Sequence, residues 1–180
     1  TPNQPEFSSA TAIFLTGEPE WSDYTVEVKV KPLALEAVAG VVFRYRTNMH
    51  YYRFGISGGN RAVLSVHMPL EKAFRVWDVR EIASAEFLYD TERYCTLRVE
   101  NAGPRIRAFV DGKLVLEASS AELLQGKAGV TAAIPARFQD FRVSASDETE
   151  KKIAERIRQR NDELARLRAE NPQPKLWKKF

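Results

Sequence analysis

From about Ala10 to Ala145, hydrophobic and polar residues alternate along the chain. Tyr24, Val26, Val28 and Val30 are interleaved with Thr25, Glu27, Lys29 and Lys31, as in a strand with one face in a core and the other in water. Val41, Phe43 and Tyr45 alternate with Val42, Arg44 and Arg46, and Tyr52, Phe54 and Ile56 with Tyr51, Arg53 and Gly55. The same reading places strands at Ala62–His67, Phe74–Val79, Tyr94–Glu100, Ile106–Val110, Leu114–Glu117, Ala128–Ala133 and Phe138–Val143. Turn residues fall between them at Gly58-Gly59-Asn60, Asn101-Ala102-Gly103-Pro104 and Asp111-Gly112. The last is a two-residue hairpin signal, because both central residues of a type I′ turn need positive φ. Ten or so short strands without regular intervening helices predict an all-β fold, a two-sheet antiparallel β-sandwich. A short helical turn is expected at Ser120–Leu124.

The period then changes from two to that of a helix. Ser146–Asp147 can cap it, with Glu150 as the reciprocal partner of Asp147 in a capping box. Ile153, Ile157, Leu164 and Leu167 form a thin apolar stripe, interrupted by Arg160 at the intermediate seam position, and Pro172 and Pro174 end the run. The chain is thereby divided into a sandwich over 1–145, a charged helix within 146–171 and a last segment over 172–180. The helix reads as a linker lying against a neighbouring domain or a semi-rigid spacer, with a short two-stranded coiled coil as the alternative. Leu176, Trp177 and Phe180 lack partners in a finished element and read as the start of a further segment.

Composition adds exclusions. The chain has 180 residues, 44% of them hydrophobic, enough for one core but without an apolar run of membrane-spanning length. Its net charge of +3 is not spread over the fold. Residues 1–145 hold 12 Arg and 5 Lys against 17 acids, residues 147–170 balance 7 against 7, and Lys175, Lys178 and Lys179 make the excess. A neutral body lacks the basic stripe that counterion release from nucleic acid requires. The lone Cys95 excludes an internal disulfide framework. Thr1–Ser9 is polar with two prolines and does not resemble a signal peptide, so any targeting segment is removed or was never there.

Enzyme signatures are sparse. No predicted strand carries acids at i, i+2 and i+4, as sandwich glycoside hydrolases do, and Glu86, Asp90 and Glu92 fall in an expected connection. His50 and His67 have neither helical spacing nor an adjacent carboxylate, and Cys95 reads as a strand thiol. Gly55–Asn60 is followed by no helix and therefore is a turn, not a phosphate loop. One constellation remains on strand faces away from the core: Arg44, Arg46, Tyr51, Arg53, Arg98, Arg105 and Arg107, with Trp77 and His67 on intermediate strands. Guanidinium groups make paired hydrogen bonds to carboxylates or vicinal hydroxyls, and aromatic rings suit sugar C–H faces. The alternative is that these arginines pair with Glu27, Glu100 and similar acids as cross-strand ladders.

Trp21–Val28, Ala39–Arg46 and Tyr51–Phe54 resemble the opening strands of concanavalin A-like sandwich domains, a group including laminin-G-like domains, bacterial carbohydrate-binding modules and the 3-keto-disaccharide hydrolase-like group. Ile106–Val115 is similar to their hairpin, and Gly126–Val130 with Phe138–Val143 to their closing strands. The resemblance implies a jelly roll whose concave sheet is the ligand surface, with Arg44 at a position often arginine. It further implies a non-catalytic carbohydrate-binding module of a larger bacterial polysaccharide-degrading protein, secreted, periplasmic or on the cell surface. Expected ligand contacts are Arg44, Arg46, Tyr51, Arg53, Trp77 and Arg107, toward an oligo- or polysaccharide that could carry uronates. Some relatives hold a structural calcium, for which Asp23 and Asp140 are the candidates. Two other readings stay open: a sugar-active hydrolase drawing on Glu27, Asp78 and Glu81, and an architectural domain without ligand. On this reading Arg44→Ala weakens binding and spares the melting temperature.

Overall fold

Valine-rich alternation of the kind in Tyr24–Val30 buries a strand on one face only, and two such sheets must cover each other. The computed structural model describes residues 11–35, 37–69 and 77–171, with backbone alone at 77 and 78. Its strands are β1 (Ala12–Thr16), β2 (Thr25–Pro32), β3 (Ala39–Thr47), β4 (His50–Ser57), β5 (Arg61–Pro69), β6 (Trp77–Glu86), β7 (Cys95–Ala102), β8 (Arg105–Val110), β9 (Lys113–Ser119), β10 (Lys127–Ala132) and β11 (Ala136–Ser144), followed by helix α1 (Asp147–Glu170). They form a six-stranded sheet in the order β1-β10-β3-β4-β5-β6 and a five-stranded sheet in the order β11-β2-β7-β8-β9. Every pairing is antiparallel.

The inner faces are those that the alternation indicates. Val26, Val28, Val30, Leu97, Val99, Ile106 and Ala108 of the five-stranded sheet meet Val41, Phe43, Tyr52, Phe54, Ile56 and Leu64 of the other, all fully buried. Each large aliphatic or aromatic side chain so removed from water contributes about 1.5–3 kcal/mol, so this layer dominates the fold's stability. The β8–β9 hairpin turns at Asp111 and Gly112 with φ of 48° and 79°, as the Asp-Gly dipeptide requires.

Three local expectations change. β1 lacks charge and an alternation of its own, and it pairs along the edge of β10. Residues 120–126 form no helical turn. The Leu123 amide donates to the Tyr52 hydroxyl and its carbonyl accepts from Arg44, so side chains take the backbone groups that a helical turn would use. The strand expected at Phe74–Val79 is described from Trp77 and runs on to Glu86, with residues 74–76 outside the described part.

Helix α1 is capped by Ser146 alone, whose hydroxyl accepts from the Thr149 amide, so Thr149 stands where the expected box needed Glu150. Its first half folds back on its own sandwich. Ile153 is buried, Arg156 donates to the Ser22 hydroxyl at 3.0 Å, and Arg160 lies 3.1 Å from Glu18 and 2.9 Å from Glu20. Exposed ion pairs contribute less than about 1 kcal/mol each, so Ile153 holds the helix more than the charges do. The turns beyond Arg160 are exposed, Leu164 and Leu167 included. None of the described helices is long and apolar enough to cross a membrane. Residues 172–180, with Leu176, Trp177 and Phe180, lie outside the described residues.

Candidate functional site

The outer face of the six-stranded sheet is shaped by an irregularity in β3 and by a second register shift between β5 and β6 at Leu64–Ser65. Lys127 of β10 pairs with Tyr45 and Gly129 with Val42, so Phe43 and Arg44 together oppose Ala128 in a β-bulge. Arg44 takes a left-handed backbone conformation, φ 49°, which a side chain with a Cβ adopts only when its surroundings hold it there. The extra residue exchanges inside and outside. Arg44, expected on the outer face, points into the sandwich and is fully buried, whereas Tyr45, expected in the core, emerges beside Tyr51.

Arg44 is corrected from a ligand contact to an internal tie. Its guanidinium donates to the carbonyls of Leu123, at 3.0 Å, and of Gly103, and lies 5.8 Å from the Tyr52 ring centre. Its amide donates at 2.7 Å to the Tyr24 hydroxyl, which in turn donates to the Gly126 carbonyl. Burial lowers the Arg44 pKa and pushes the Tyr24 hydroxyl well above its usual range.

Tyr51, Arg53, Ser65 and His67 alternate with core residues and therefore face outward. Register places Tyr51 opposite His67, and Arg53 opposite both Val42 and Ser65, with Glu81 of β6 continuing that second row. The glycine at 40 belongs to the same face, and a Cβ there would stand 2.2 Å from the Phe54 carbonyl oxygen, so the strands close in at this point. Tyr45, Tyr51 and His67 make a ladder of rings across three strands, with centroid separations of 5.5 Å and 4.1 Å. Tyr51, expected to stack on a sugar, has a ring neighbour on each side and is 4% exposed, so Tyr45 offers the open ring instead. Beside the ladder, Ser65 and His67 are 2% and 7% exposed. Neither Ser65 Oγ nor His67 Nε2 has a hydrogen-bond partner among the described residues, and Thr131 Oγ1 is in the same condition. Buried polar atoms of this kind take ordered water or a ligand. Burial, followed by the nearby Arg53 charge, lowers the His67 pKa to about 3, so the ring is neutral and offers one acceptor and one N–H donor. Burial also raises the Tyr51 pKa, keeping its phenol protonated.

The other expected residues do not join this group. Arg107 lies on β8, on the outer face of the five-stranded sheet and so on the opposite side of the sandwich. There it pairs with Glu100, as does Arg98 at 3.3 Å, Arg105 pairs with Glu117 at 2.9 Å, and Arg98 covers the Phe109 ring at 4.2 Å. These are the cross-strand ladders that formed the alternative reading. Arg46 is exposed near the end of β3. Trp77 opens β6 opposite Pro69, and its side chain, like that of Asp78, lies outside the description.

The calcium candidates do not fit a common ion. Asp23 accepts a hydrogen bond from the Gly103 amide at 2.6 Å, and Asp140 pairs with Lys29 at 2.6 Å. Asp140 lies beside Lys29 in the β11–β2 pairing, whereas Asp23 precedes the far end of β2, several residues along the strand. No group of three potential metal-ligating side chains occurs among the described residues. The acids considered for hydrolysis are separated as well. Glu27 belongs to the five-stranded sheet, while Glu81 is on the six-stranded one and engages Arg61 at 2.7 Å and the Ser84 hydroxyl.

The ring ladder beside a row of Arg53 and unpartnered polar atoms suits a ligand with an apolar face and a hydroxyl-bearing or carboxylate edge. No protein-family model and no curated protein sequence matches the chain. Solved structures do match. The carbohydrate-binding module CBM66 from Bacillus subtilis is 18% identical with a TM-score of 0.61, the match covering 76% of this chain and 78% of that one. The galectin LEC-6 of Caenorhabditis elegans is 12% identical with a TM-score of 0.52, covering 76% and 92%. CG-16, a homodimeric agglutinin from chicken liver, is 11% identical with a TM-score of 0.51, covering 74% and 99%. With its two antiparallel sheets and terminal helix, the chain has the concanavalin A-like, lectin-type β-sandwich fold.

Proposed function

We propose that this protein is a non-catalytic carbohydrate-binding module that takes saccharide on the outer face of its six-stranded sheet. The observation that carries the reading is the adjacent pair Ser65 Oγ and His67 Nε2, buried and without partners among the described residues, beside Arg53 and the Tyr45–Tyr51 ladder. Tyr45 meets a sugar C–H face, Ser65 and neutral His67 bond hydroxyls, and Arg53 takes vicinal hydroxyls or a uronate carboxylate. The likeness to a carbohydrate-binding module and to galectins supports saccharide as the ligand class. The module serves a larger bacterial protein that degrades polysaccharide outside the cytoplasm. With a uronate ligand, affinity falls as salt rises, since a half-exposed ion pair is screened over about 8–10 Å. A glycan array of neutral and uronate-containing oligosaccharides, followed by calorimetry on each hit, tests the assignment. Saturable binding that Arg53→Ala weakens is the expected result. Uniform absence of binding would leave an architectural role in its place.

A further inference from the structure

The tie around Arg44 lies behind the site and touches none of the outward row, yet it determines which side chain of β3 faces outward. The bulge residue is held at four points: its amide by the Tyr24 hydroxyl, its guanidinium by Leu123 and Gly103, and its carbonyl side by Gly126. The last contact is close enough that a Cβ at position 126 would stand 2.4 Å from the Arg44 carbonyl carbon and 2.6 Å from the Tyr45 nitrogen. Leu123 and Gly126 belong to the β9–β10 connection and Gly103 to the β7–β8 turn, so both sheets contribute to holding one peptide. A strand without the bulge would continue its alternation, sending Tyr45 into the core and a cation out to the place beside Tyr51.

We infer that Arg44 is a positioning residue for the saccharide face, acting through the bulge to set the Tyr45 ring against Tyr51. This rests on the saccharide reading for its ligand, but the placement of the ring can be tested without one. The tie makes the outer face depend on hydrogen bonds formed on the inner side of β3. Loss of any of them releases Tyr45 from Tyr51 before it unfolds the sandwich, because the core valines and leucines do not pass through the bulge.

The test uses the whole chain labelled with 3-fluorotyrosine, three of its six tyrosine signals assigned by Tyr45→Phe, Tyr51→Phe and Tyr94→Phe. Arg44→Lys keeps the charge but cannot reach both carbonyls with a planar fork. In the folded variant, well below its melting temperature, the Tyr45 and Tyr51 signals should move while that of Tyr94, just before β7 of the other sheet, stays. Should Arg44→Lys fail to fold, Tyr24→Phe, which removes only the hydroxyl anchoring the Arg44 amide, carries the same comparison. Unmoved Tyr45 and Tyr51 signals in a folded variant would overturn the inference and reduce Arg44 to a stabilising residue. Trigalacturonate titrations provide the second readout, with affinity about tenfold weaker in the variant, equivalent to ~1.4 kcal/mol. Native affinity in a variant whose rings have moved would also overturn it. If the native protein binds none of the array saccharides, the saccharide reading fails, and the fluorine shifts still decide whether Arg44 places Tyr45.

Discussion

Replacing Arg44 by alanine removes a fully buried cation and leaves the carbonyls of Leu123 and Gly103 without their donors. Two charge-assisted hydrogen bonds at about 1.5–3 kcal/mol each set a gross loss of about 3–6 kcal/mol. Against this stands the cost of keeping a guanidinium in the interior without a carboxylate partner, of the order of several kcal/mol, which the substitution relieves. Water entering the space vacated by the side chain recovers part of the carbonyl bonding. The balance is a destabilisation of about 1–3 kcal/mol, or roughly 2–12 °C in the melting temperature at 2–4 °C per kcal/mol for a chain of this size. Urea unfolding followed by tryptophan fluorescence measures it, with the slope against denaturant checked for constancy. A change below about 0.5 kcal/mol, or a gain in stability, would show that the desolvation cost cancels the two bonds. The expectation from sequence was the reverse, a spared melting temperature, and it followed from placing Arg44 on the surface.

Other substitutions separate function from stability. Ser65→Ala deletes a buried hydroxyl that has no partner among the described residues, so stability should stay level or rise by up to ~1 kcal/mol while saccharide affinity falls several-fold; chemical melts beside calorimetric titrations decide. His67 in the folded protein has a pKa of about 3 against about 6.5 unfolded. Between those values the unfolded chain binds the proton and the folded one does not, so stability should fall as pH drops, by about 1.4 kcal/mol per unit. His67→Phe should flatten the pH dependence of urea midpoints between pH 4 and 6, and an unchanged slope would count against the buried neutral ring. Ile153→Ala should cost about 1–3 kcal/mol of local stability and expose the start of α1 to limited proteolysis, whereas Leu164→Ala, in the exposed half, should change neither.

Alternation in the sequence carries the architecture because a residue's facing in a strand depends on little beyond its parity. Val26–Val30, Tyr52–Ile56 and Leu97–Val99 therefore land in the core, and Asp111-Gly112 turns a hairpin as its backbone preference dictates. Parity does not say to which sheet a strand belongs. Arg107 and Arg53 both read as outward, and both are, on opposite sides of the sandwich. Parity also breaks at a bulge. The left-handed Arg44 is not a glycine or an asparagine, so no local preference announced it, and the exchange with Tyr45 came from tertiary ties to Tyr24, Leu123, Gly103 and Gly126. His67 belongs to the outward positions that the sequence indicates, whereas Ser65, two residues before it at the same parity, carries no signal of its own. That both are buried and without partners among the described residues depends on the neighbouring strands and becomes visible only in three dimensions. The helix stripe was legible as well, but the segment from Glu18 to Ser22 that Arg156 and Arg160 of the helix engage is remote in sequence.

The central claim is that saccharide binds the outer face of the six-stranded sheet, and amide chemical-shift mapping tests it most directly. A ¹⁵N-labelled sample is titrated with the tightest oligosaccharide from the glycan array. Shifts concentrated at Tyr45, Tyr51, Arg53, Ser65 and His67, with Arg98, Arg107 and Phe109 unmoved, are the predicted result. Shifts centred on the five-stranded sheet, or on α1 and the Glu18–Ser22 segment beside it, would contradict it.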